Sequence, residues 1–238
     1  MPGLGTIINT AAIVVGGLLG LLFKNLLTKS MEDTLLKASS VCVLFIGIGG
    51  TMQHMLKITD GALETSGSMM LIICFVLGSI VGELLDIEGA FERFGAWLRK
   101  KTHNESDTCF LSAFLHASLT VCIGAMAIVG SIQDGLLGDS SLLCAKAALD
   151  AVIILVMTAS MGKGCIFSAI PVALLQGGVT LLSRVLAPVF TEAAIANLSY
   201  TGSVMIFCVG LNLVWGKKIK VANLLPTLVF AVIYALVF

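Results

Sequence analysis

Eight apolar runs, each long enough to cross a bilayer, constrain this chain more than any other feature. A transmembrane helix needs roughly 17–25 predominantly apolar residues. Only 12% of the 238 residues are charged, whereas soluble domains carry roughly 25%. We therefore predict an all-α polytopic membrane protein of about eight transmembrane helices, forming a single integral membrane domain over 1–238. The runs cover about 4–23, 38–56, 68–85, 108–132, 141–162, 164–186, 199–216 and 221–238.

The basic residues alternate between the loops and so predict the orientation. The first, third, fifth and seventh loops hold eleven Lys and Arg residues, and the other side holds three, namely Lys57, Lys146 and Arg184. Cytoplasmic loops carry the excess of Lys and Arg. We therefore expect the odd loops in the cytoplasm and both termini outside. The hinge Gly162-Lys163-Gly164 leaves open whether the segment 162–186 fully spans or is re-entrant.

Two loops are long enough to contain helices of their own. In 85–101 the residues Ile87, Phe91, Phe94 and Leu98 recur at helical spacing among charged residues, which predicts a helix lying in the cytoplasmic interface. The segment 24–38 shows a weaker form of this pattern. Such a helix acts either as a connector resting on lipid or as a membrane sensor.

A pattern of small-residue helix, amphipathic linker and Gly-ended helix occurs three times. It starts at Gly16-Gly17, at Gly78 and at Gly177-Gly178. In the predicted topology the third occurrence runs opposite to the other two, and an inverted-topology repeat is typical of secondary transporters. We therefore expect inverted internal repeats, with chance similarity between low-diversity apolar segments as the alternative.

The strongest candidate for chemistry is a carboxylate inside the fifth run. Asp150 follows Lys146 by one helical turn, so the two side chains project from the same face. Charged residues at membrane depth usually face a polar interior or a partner. Asp150 is then either a proton- or cation-coupling carboxylate or half of a pair that extends to the outer interface.

Four further polar residues complete the candidate substrate or ion site. Gln133 and Asp134 lie among glycines, where a broken helix would expose carbonyls, and Gln176 lies between Pro171 and Gly177-Gly178, where Pro frees a backbone carbonyl. Asn9 is the polar residue of the first run. For each residue alone, hydrogen bonding between helices is the competing interpretation. The predicted site is Asn9, Gln133, Asp134, Lys146, Asp150 and Gln176.

Several functional classes lack support in the sequence. No hydrolase, protease or nucleotide-binding motif is present, so we expect no catalytic residue, no cofactor and no enzyme activity. The three histidines are not spaced for a metal site, and the seven cysteines have no CxxC spacing, which indicates small apolar residues within helices. The net charge of zero argues against a nucleic-acid partner.

Five stretches resemble a known family of bacterial membrane proteins, and together they extend over nearly the whole chain. The family is the YqgA/YdfK-like family, defined by a domain of unknown function, DUF554. The resemblance implies a multi-pass protein of the bacterial cytoplasmic membrane and supplies no substrate. The stretches are GTIINTAAIVVGGLLGLLF (5–23), VLFIGIGG (43–50), GAMAIVGSIQDGLLGDSSLLCAKAALD (124–150), LLQGGVTLL (174–182) and KVANLLP (220–226).

Together these patterns favour a small secondary transporter or channel-like permease for a small solute or ion. Asp150 would bind the coupling ion, near the places where broken segments at 130–140 and 171–178 meet Asn9. The expected partners are the lipid bilayer and, because the chain is small for a transporter, a second copy in a homodimer. The alternative function is a non-transporting scaffold or sensor that binds a partner through its cytoplasmic loops.

Overall fold

The computed structural model describes residues 2–24, 28–59, 61–104, 107–123 and 125–237. Within these ranges the chain is almost entirely helical, as the apolar runs predict. The helices are α1 (Leu4–Lys24), α2 (Lys29–Met55), α3 (Ser68–Leu85), α4 (Ile87–Lys101), α5 (Phe110–Cys122), α6 (Ala125–Leu137), α7 (Ser141–Met161), α8 (Ala169–Leu181), α9 (Ser183–Leu186), α10 (Glu192–Trp215) and α11 (Pro226–Val237). Two 3₁₀ helices, Lys163–Ser168 and Val221–Leu224, lead into α8 and α11, and strands β1 (Leu56–Thr59) and β2 (Ala62–Thr65) form an antiparallel hairpin.

Six helical segments in the described residues are long and apolar enough to cross a membrane: α1, α2, α3, α7, the segment Lys163–Leu181 and α10. Helices α5 and α6 form a pair bent by 60° and add a seventh crossing if they count as one span. The last run is a shorter apolar helix over Val221–Val237. The all-α polytopic fold is thus confirmed, and the eighth span stays a prediction.

Helix backbones approach each other closely at several glycines. Gly16 and Gly20 of α1 lie against the backbone of Ala151 and Leu155 of α7, so that any side chain at these two positions would overlap α7. Small residues four positions apart allow this close approach of two helix backbones. The residue numbers of the contacting positions increase together along both helices, so α1 and α7 are parallel. These two helices form the framework of the candidate site.

The other two large helix pairs are antiparallel. Helix α2 packs on α10 with Gly47 against Phe207 and Gly210 against Leu44. Helix α3 packs on α11 and its leading 3₁₀ helix, with Gly78 against Thr227. The α2–α10 contact joins two of the segments proposed to be related by an inverted repeat, and the repeat itself stays a prediction.

The loops predicted to be cytoplasmic meet at one end of the molecule, here called the basic end and defined by Lys24, Lys163, Lys217 and Lys220. Lys24 lies beside Gly162, and Lys217 forms ion pairs with Glu88 and Glu92 of α4. The opposite end contains Pro2, Leu137 and Arg184. Which end faces the cytoplasm is a prediction from charge alone.

Three local features differ from the sequence expectations. Strands β1 and β2 pair as a β-hairpin where the sequence analysis expected only a loop, and the Asp-Gly dipeptide between them in the sequence is typical of such a connection. Residues from Lys29 to 38 form the first turns of α2 rather than a separate interfacial helix. The predicted break at 171–178 is absent, since α8 is continuous from Ala169 to Leu181 and the irregular backbone precedes it in the 3₁₀ helix.

Candidate functional site

A buried ion pair on α7 is the centre of the candidate site. The Lys146 ammonium lies 2.8 and 2.6 Å from the two carboxylate oxygens of Asp150. The two residues are only 7% and 3% exposed. The interpretation of a pair extending to the outer interface is therefore wrong in this structure, because both charged groups point into the helix bundle.

The third hydrogen bond of Lys146 explains why it points inward. Its Nζ donates to the backbone carbonyl of Val121 at 2.9 Å. In a continuous helix this carbonyl would accept the N–H four residues later, but α5 ends at Cys122. The ammonium has three donors and three acceptors, so it is saturated. The sequence placed the broken helix near 130–140, whereas the break that supplies a carbonyl comes directly after Cys122.

Asn9 joins the pair from the neighbouring helix. Its Nδ2 donates to Asp150 Oδ2 at 3.1 Å, and the residue is fully buried. The parallel contact of α1 on α7 brings Asn9 to this place. The Asn9 Oδ1 atom has no hydrogen-bond partner among the described residues. Asn9, Lys146 and Asp150 therefore form one cluster, as the sequence predicted, with a buried acceptor left free.

Asp134 forms a second buried site toward the opposite end. Its Oδ2 accepts the backbone N–H of Gly5 at 3.0 Å, near the start of α1, where the helix dipole favours negative charge. Its Oδ1 has no partner within the described parts of the chain. The neighbouring Gln133 is only half-buried, and among the described residues it makes no hydrogen bond to the cluster.

The glycines around Asp134 differ from one another. Gly130 and Gly135 lie within the continuous helix α6, and Gly138 has a φ of +68° in the turn before α7. Gly124, another glycine near this region, lies outside the described residues. Of the described glycines around Asp134, only Gly138 uses the backbone freedom of glycine in a turn.

Gln176 is the third buried polar residue that the sequence predicted. It is 1% exposed, and neither amide atom has a hydrogen-bond partner among the residues described. Buried amides usually find partners, so Gln176 is an unusual group on α8. The structure does not place it in direct contact with the Lys146–Asp150 pair.

Two threonines that the sequence analysis did not single out connect these elements. The hydroxyls of Thr6 and Thr180 lie 3.4 Å apart between α1 and α8. Thr6 precedes Asn9 by one turn of α1, and Thr180 follows Gln176 by one turn of α8. This alignment of polar residues along one face of each helix is the sequence signal that could have identified the two threonines. Both threonines line a cavity of about 390 Å³ at the opposite end, together with Gly135, Ser183 and Arg184. We call this cavity the vestibule.

The cluster consists of oxygen acceptors, among them the Asp150 carboxylate, around one cation of the protein itself, the Lys146 ammonium. No group of three or more His, Cys, Asp or Glu side chains is placed to hold a metal ion in the described residues. A carboxylate and an amide oxygen suit a monovalent cation, a proton or an ammonium group. Asn212, a buried polar residue of α10, instead binds the backbone of Lys218 and Ile219 and so holds the turn at the basic end.

Comparisons with known proteins place this chain in a family. The model of a family described as "Protein of unknown function (DUF554)" matches residues 4–236. The "uncharacterized membrane protein YdfK" of Bacillus subtilis is 26% identical over 94% of this chain and 92% of its own length. The "uncharacterized protein YqgA" of Escherichia coli is 25% identical over 96% of this chain and 94% of its own length. No solved structure gives a significant match. The chain therefore belongs to the DUF554 family, as its sequence motifs predicted.

Proposed function

We propose that the protein is a small secondary transporter or channel-like permease of the bacterial cytoplasmic membrane, with both termini outside. The proposed solute is a small ion, and the proposed ion site is the cluster of Asn9, Lys146 and Asp150. One observation carries the proposal: opposite charges are buried on an apolar helix long enough to span a membrane, beside an amide oxygen that accepts no hydrogen bond from the described residues. Ionisable groups inside a membrane are costly and usually mark a pathway for ions or substrates.

The proposed mechanism is replacement of Lys146 by an incoming cation. In this structure the Lys146 ammonium is bound to the Asp150 carboxylate. A cation that binds Asp150 and Asn9 Oδ1 would leave Lys146 with the Val121 carbonyl as its acceptor. Loss of one proton from Lys146 to water would then keep the site electrically neutral. Exchange of a cation for a proton avoids an unpaired buried charge, which is the costly state.

The proposed route to the cluster starts in the vestibule. Its wall contains Thr6, which lies one turn from Asn9 on α1, and Gly135, which adjoins the buried Asp134. Hydroxyls and a carboxylate offer successive acceptors to a partly dehydrated cation. The break between α5 and α6 is the proposed moving part, because Lys146 would stay bound to the Val121 carbonyl at this break while it moves away from Asp150.

Thermal unfolding of the purified protein tests this function. The panel contains Li⁺, Na⁺, K⁺, polyamines, amino acids and organic acids, each with the wild type and with Asp150→Asn. A ligand that binds only the folded state adds about 2.7 kcal/mol of stability at a hundred times its dissociation constant. We expect a cation to stabilise the wild type and not Asp150→Asn.

The charge-reversed double variant Lys146→Asp/Asp150→Lys is the matched control. It keeps a pair at the same two positions, so a loss of cation response in this variant would come from geometry and not from unfolding. If no solute stabilises the wild type and Asp150→Asn is as stable as the wild type, the transport proposal is wrong.

A scaffold or sensor is the second candidate function, and the outer face of α4 favours it. Trp97, Lys100, Lys101 and His103 are exposed around one cavity at the basic end. Aromatic and basic residues together suit an interface with an anionic surface. Under this alternative, neutralising Lys100 and Lys101 would abolish function while Asp150→Asn would be tolerated. A homodimer remains part of the proposal for either function.

A further inference from the structure

One cavity in the described part of the chain is almost entirely apolar and is separate from the polar cluster. It has a volume of about 540 Å³ and lies between α6, α8, α10 and α11. Its walls include Ile128, Leu175, Phe190, Leu228 and Val232, and apart from the thiol of Cys122 every lining side chain is apolar. We call it the α11 cavity. Ligand pockets commonly enclose about 300–1,000 Å³, so the space is large enough for a molecule.

The α11 cavity opens along α11. Val229 and Ile233 line it and are 60% and 47% exposed. On a helix at membrane depth these exposed apolar side chains face lipid, so the cavity communicates with the hydrocarbon core and not with water. Its α11 wall extends from Leu225 to Leu236, which is about 16 Å at 1.5 Å per residue. That length is about half of the 30 Å hydrocarbon core, the depth of one lipid leaflet.

We propose that the α11 cavity binds one hydrocarbon chain of a membrane lipid. Water would find almost no hydrogen-bond partner on these walls, whereas a hydrocarbon chain needs none. The opening lies at Val229 and Ile233, where lipid chains surround the protein, so a lipid chain is the occupant that this position favours.

Cys122 connects the cavity with the polar cluster. It lines the cavity and is the last residue of α5, next to the Val121 carbonyl that binds Lys146. A chain in the cavity would therefore contact the residue that adjoins this carbonyl. The proposal goes beyond the proposed transport function and does not depend on it, because its evidence is the shape and chemistry of the cavity.

Photo-crosslinking tests the bound chain directly. The full-length protein is placed in phosphatidylcholine nanodiscs that contain a phosphatidylcholine probe with a diazirine on its palmitoyl chain. Crosslinked residues are mapped by mass spectrometry while the mole fraction of probe increases. We expect labelling of α11 and of the residues around Phe190 to saturate, because the cavity holds one chain. Labelling of the lipid-facing residues of α3 should instead increase in proportion to the probe.

Three variants distinguish the cavity from ordinary lipid contact. Leu228→Trp fills the cavity, removes space for several methylene groups and should lower cavity labelling about tenfold at sub-saturating probe. Leu236→Trp fills its opening at a half-exposed position, so it serves if Leu228→Trp does not fold. Ile80→Trp, on the exposed face of α3 and not in the cavity wall, should leave cavity labelling unchanged.

Two results would overturn the proposal. Labelling of α11 that is proportional to the probe and insensitive to both cavity variants would mean annular lipid only. Crosslinks between α11 cavity residues of two chains, in place of lipid adducts, would mean that a second copy covers the opening.

Discussion

The protein holds two groups of ion pairs, and they differ in what surrounds them. At the basic end Lys217 pairs with Glu88 and Glu92, Lys220 pairs with Glu83, and Arg93 pairs with Asp86. In the bundle, the side chains of Lys146 and Asp150 are 8% and 5% exposed, against 46% for Lys217. The contacts at the basic end are thus largely solvated, with Glu88 as the buried partner of Lys217, whereas both members of the pair in the bundle are enclosed.

This difference in exposure indicates that the two groups of ion pairs have different roles. Solvated ion pairs contribute about 0–1 kcal/mol each, so the basic end is held mainly by the burial of α4 against α5, where Leu98 and Phe114 pack. A buried pair gains little over apolar residues of equal size, yet breaking it costs about 3–5 kcal/mol. Such a pair is not needed to hold a packed membrane bundle together. For this reason we place the proposed ion site at Lys146 and Asp150.

The largest expected effect comes from breaking the buried pair on one side. Lys146→Met leaves the Asp150 carboxylate without its cation and the Val121 carbonyl without its donor. We expect a loss of about 3–5 kcal/mol in the free energy of unfolding, measured by denaturant or thermal unfolding in detergent.

The apolar double variant Lys146→Met/Asp150→Leu is the control for this prediction. Because it removes both charges, most of the lost stability should return. A double variant as unstable as Lys146→Met would show that the fold itself requires the charges, and the contrast between the two regions would fail.

Asn9→Ala tests the third member of the cluster and should have an intermediate effect. It removes the hydrogen bond to Asp150 Oδ2, and hydrogen bonds between membrane helices contribute about 0.6–2 kcal/mol. The same unfolding assay measures it. Thr10→Ala, one residue along α1, breaks only a bond within the helix and is the matched control. Equal losses in the two variants would remove Asn9 from the site.

The ion pairs of Lys217 at the basic end should contribute less to the free energy of unfolding in alkaline solution than at neutral pH. Burial opposes the charge of Lys217, but hydrogen bonds to Glu88 and Glu92 outweigh it and raise the pKa of Lys217 above its ordinary value. A raised pKa means that this stabilisation is complete below about pH 10.4 and is lost as the pH rises through the folded-state pKa.

Lys217→Gln should remove that alkaline loss while lowering stability at neutral pH by at most about 1 kcal/mol. Unfolding of both proteins between pH 8 and 12 measures the difference. Identical alkaline curves for the two proteins would mean that the Lys217 pairs add nothing to the fold.

The smallest effect is expected at a fully solvated pair on α2. The side chains of Lys37 and Asp33 are 73% and 59% exposed, so Lys37→Gln should leave the unfolding curve unchanged within error. A clear loss of stability in this variant would show that exposure is not what separates the two groups of ion pairs.

Much of this arrangement follows from local sequence patterns. The apolar runs predict most of the spans, and the amphipathic spacing in 85–101 predicts α4. The four-residue spacing of Lys146 and Asp150 predicts their contact, because helical geometry alone brings them together. The glycines at 16 and 20 indicate a close helix contact, although not that its partner is α7.

The remaining features depend on tertiary contacts. Nothing local indicates that Asn9 meets Asp150, since 141 residues separate them and only the register of α1 on α7 aligns them. The acceptor at Val121 depends on where α5 ends, and apolar sequence defines such a helix end poorly. The α11 cavity is lined by residues between Phe91 and Leu236 that are far apart in the sequence, so no local pattern indicates it.

The most direct test of the central claim is whether water reaches the buried pair. Ala147 lies beside Lys146 and is 3% exposed in this structure, while Val152 on the same helix is 63% exposed toward lipid. In a cysteine-free background in sealed vesicles, Ala147→Cys, Val152→Cys and the control Leu63→Cys, which is exposed in the β-hairpin that follows α2, are each treated with a charged, membrane-impermeant thiol reagent. A transport site predicts that Ala147→Cys reacts, that a bound cation changes its rate, and that Val152→Cys stays unreactive. If only Leu63→Cys reacts under every cation, the pair is a sealed structural element and the transport account is wrong.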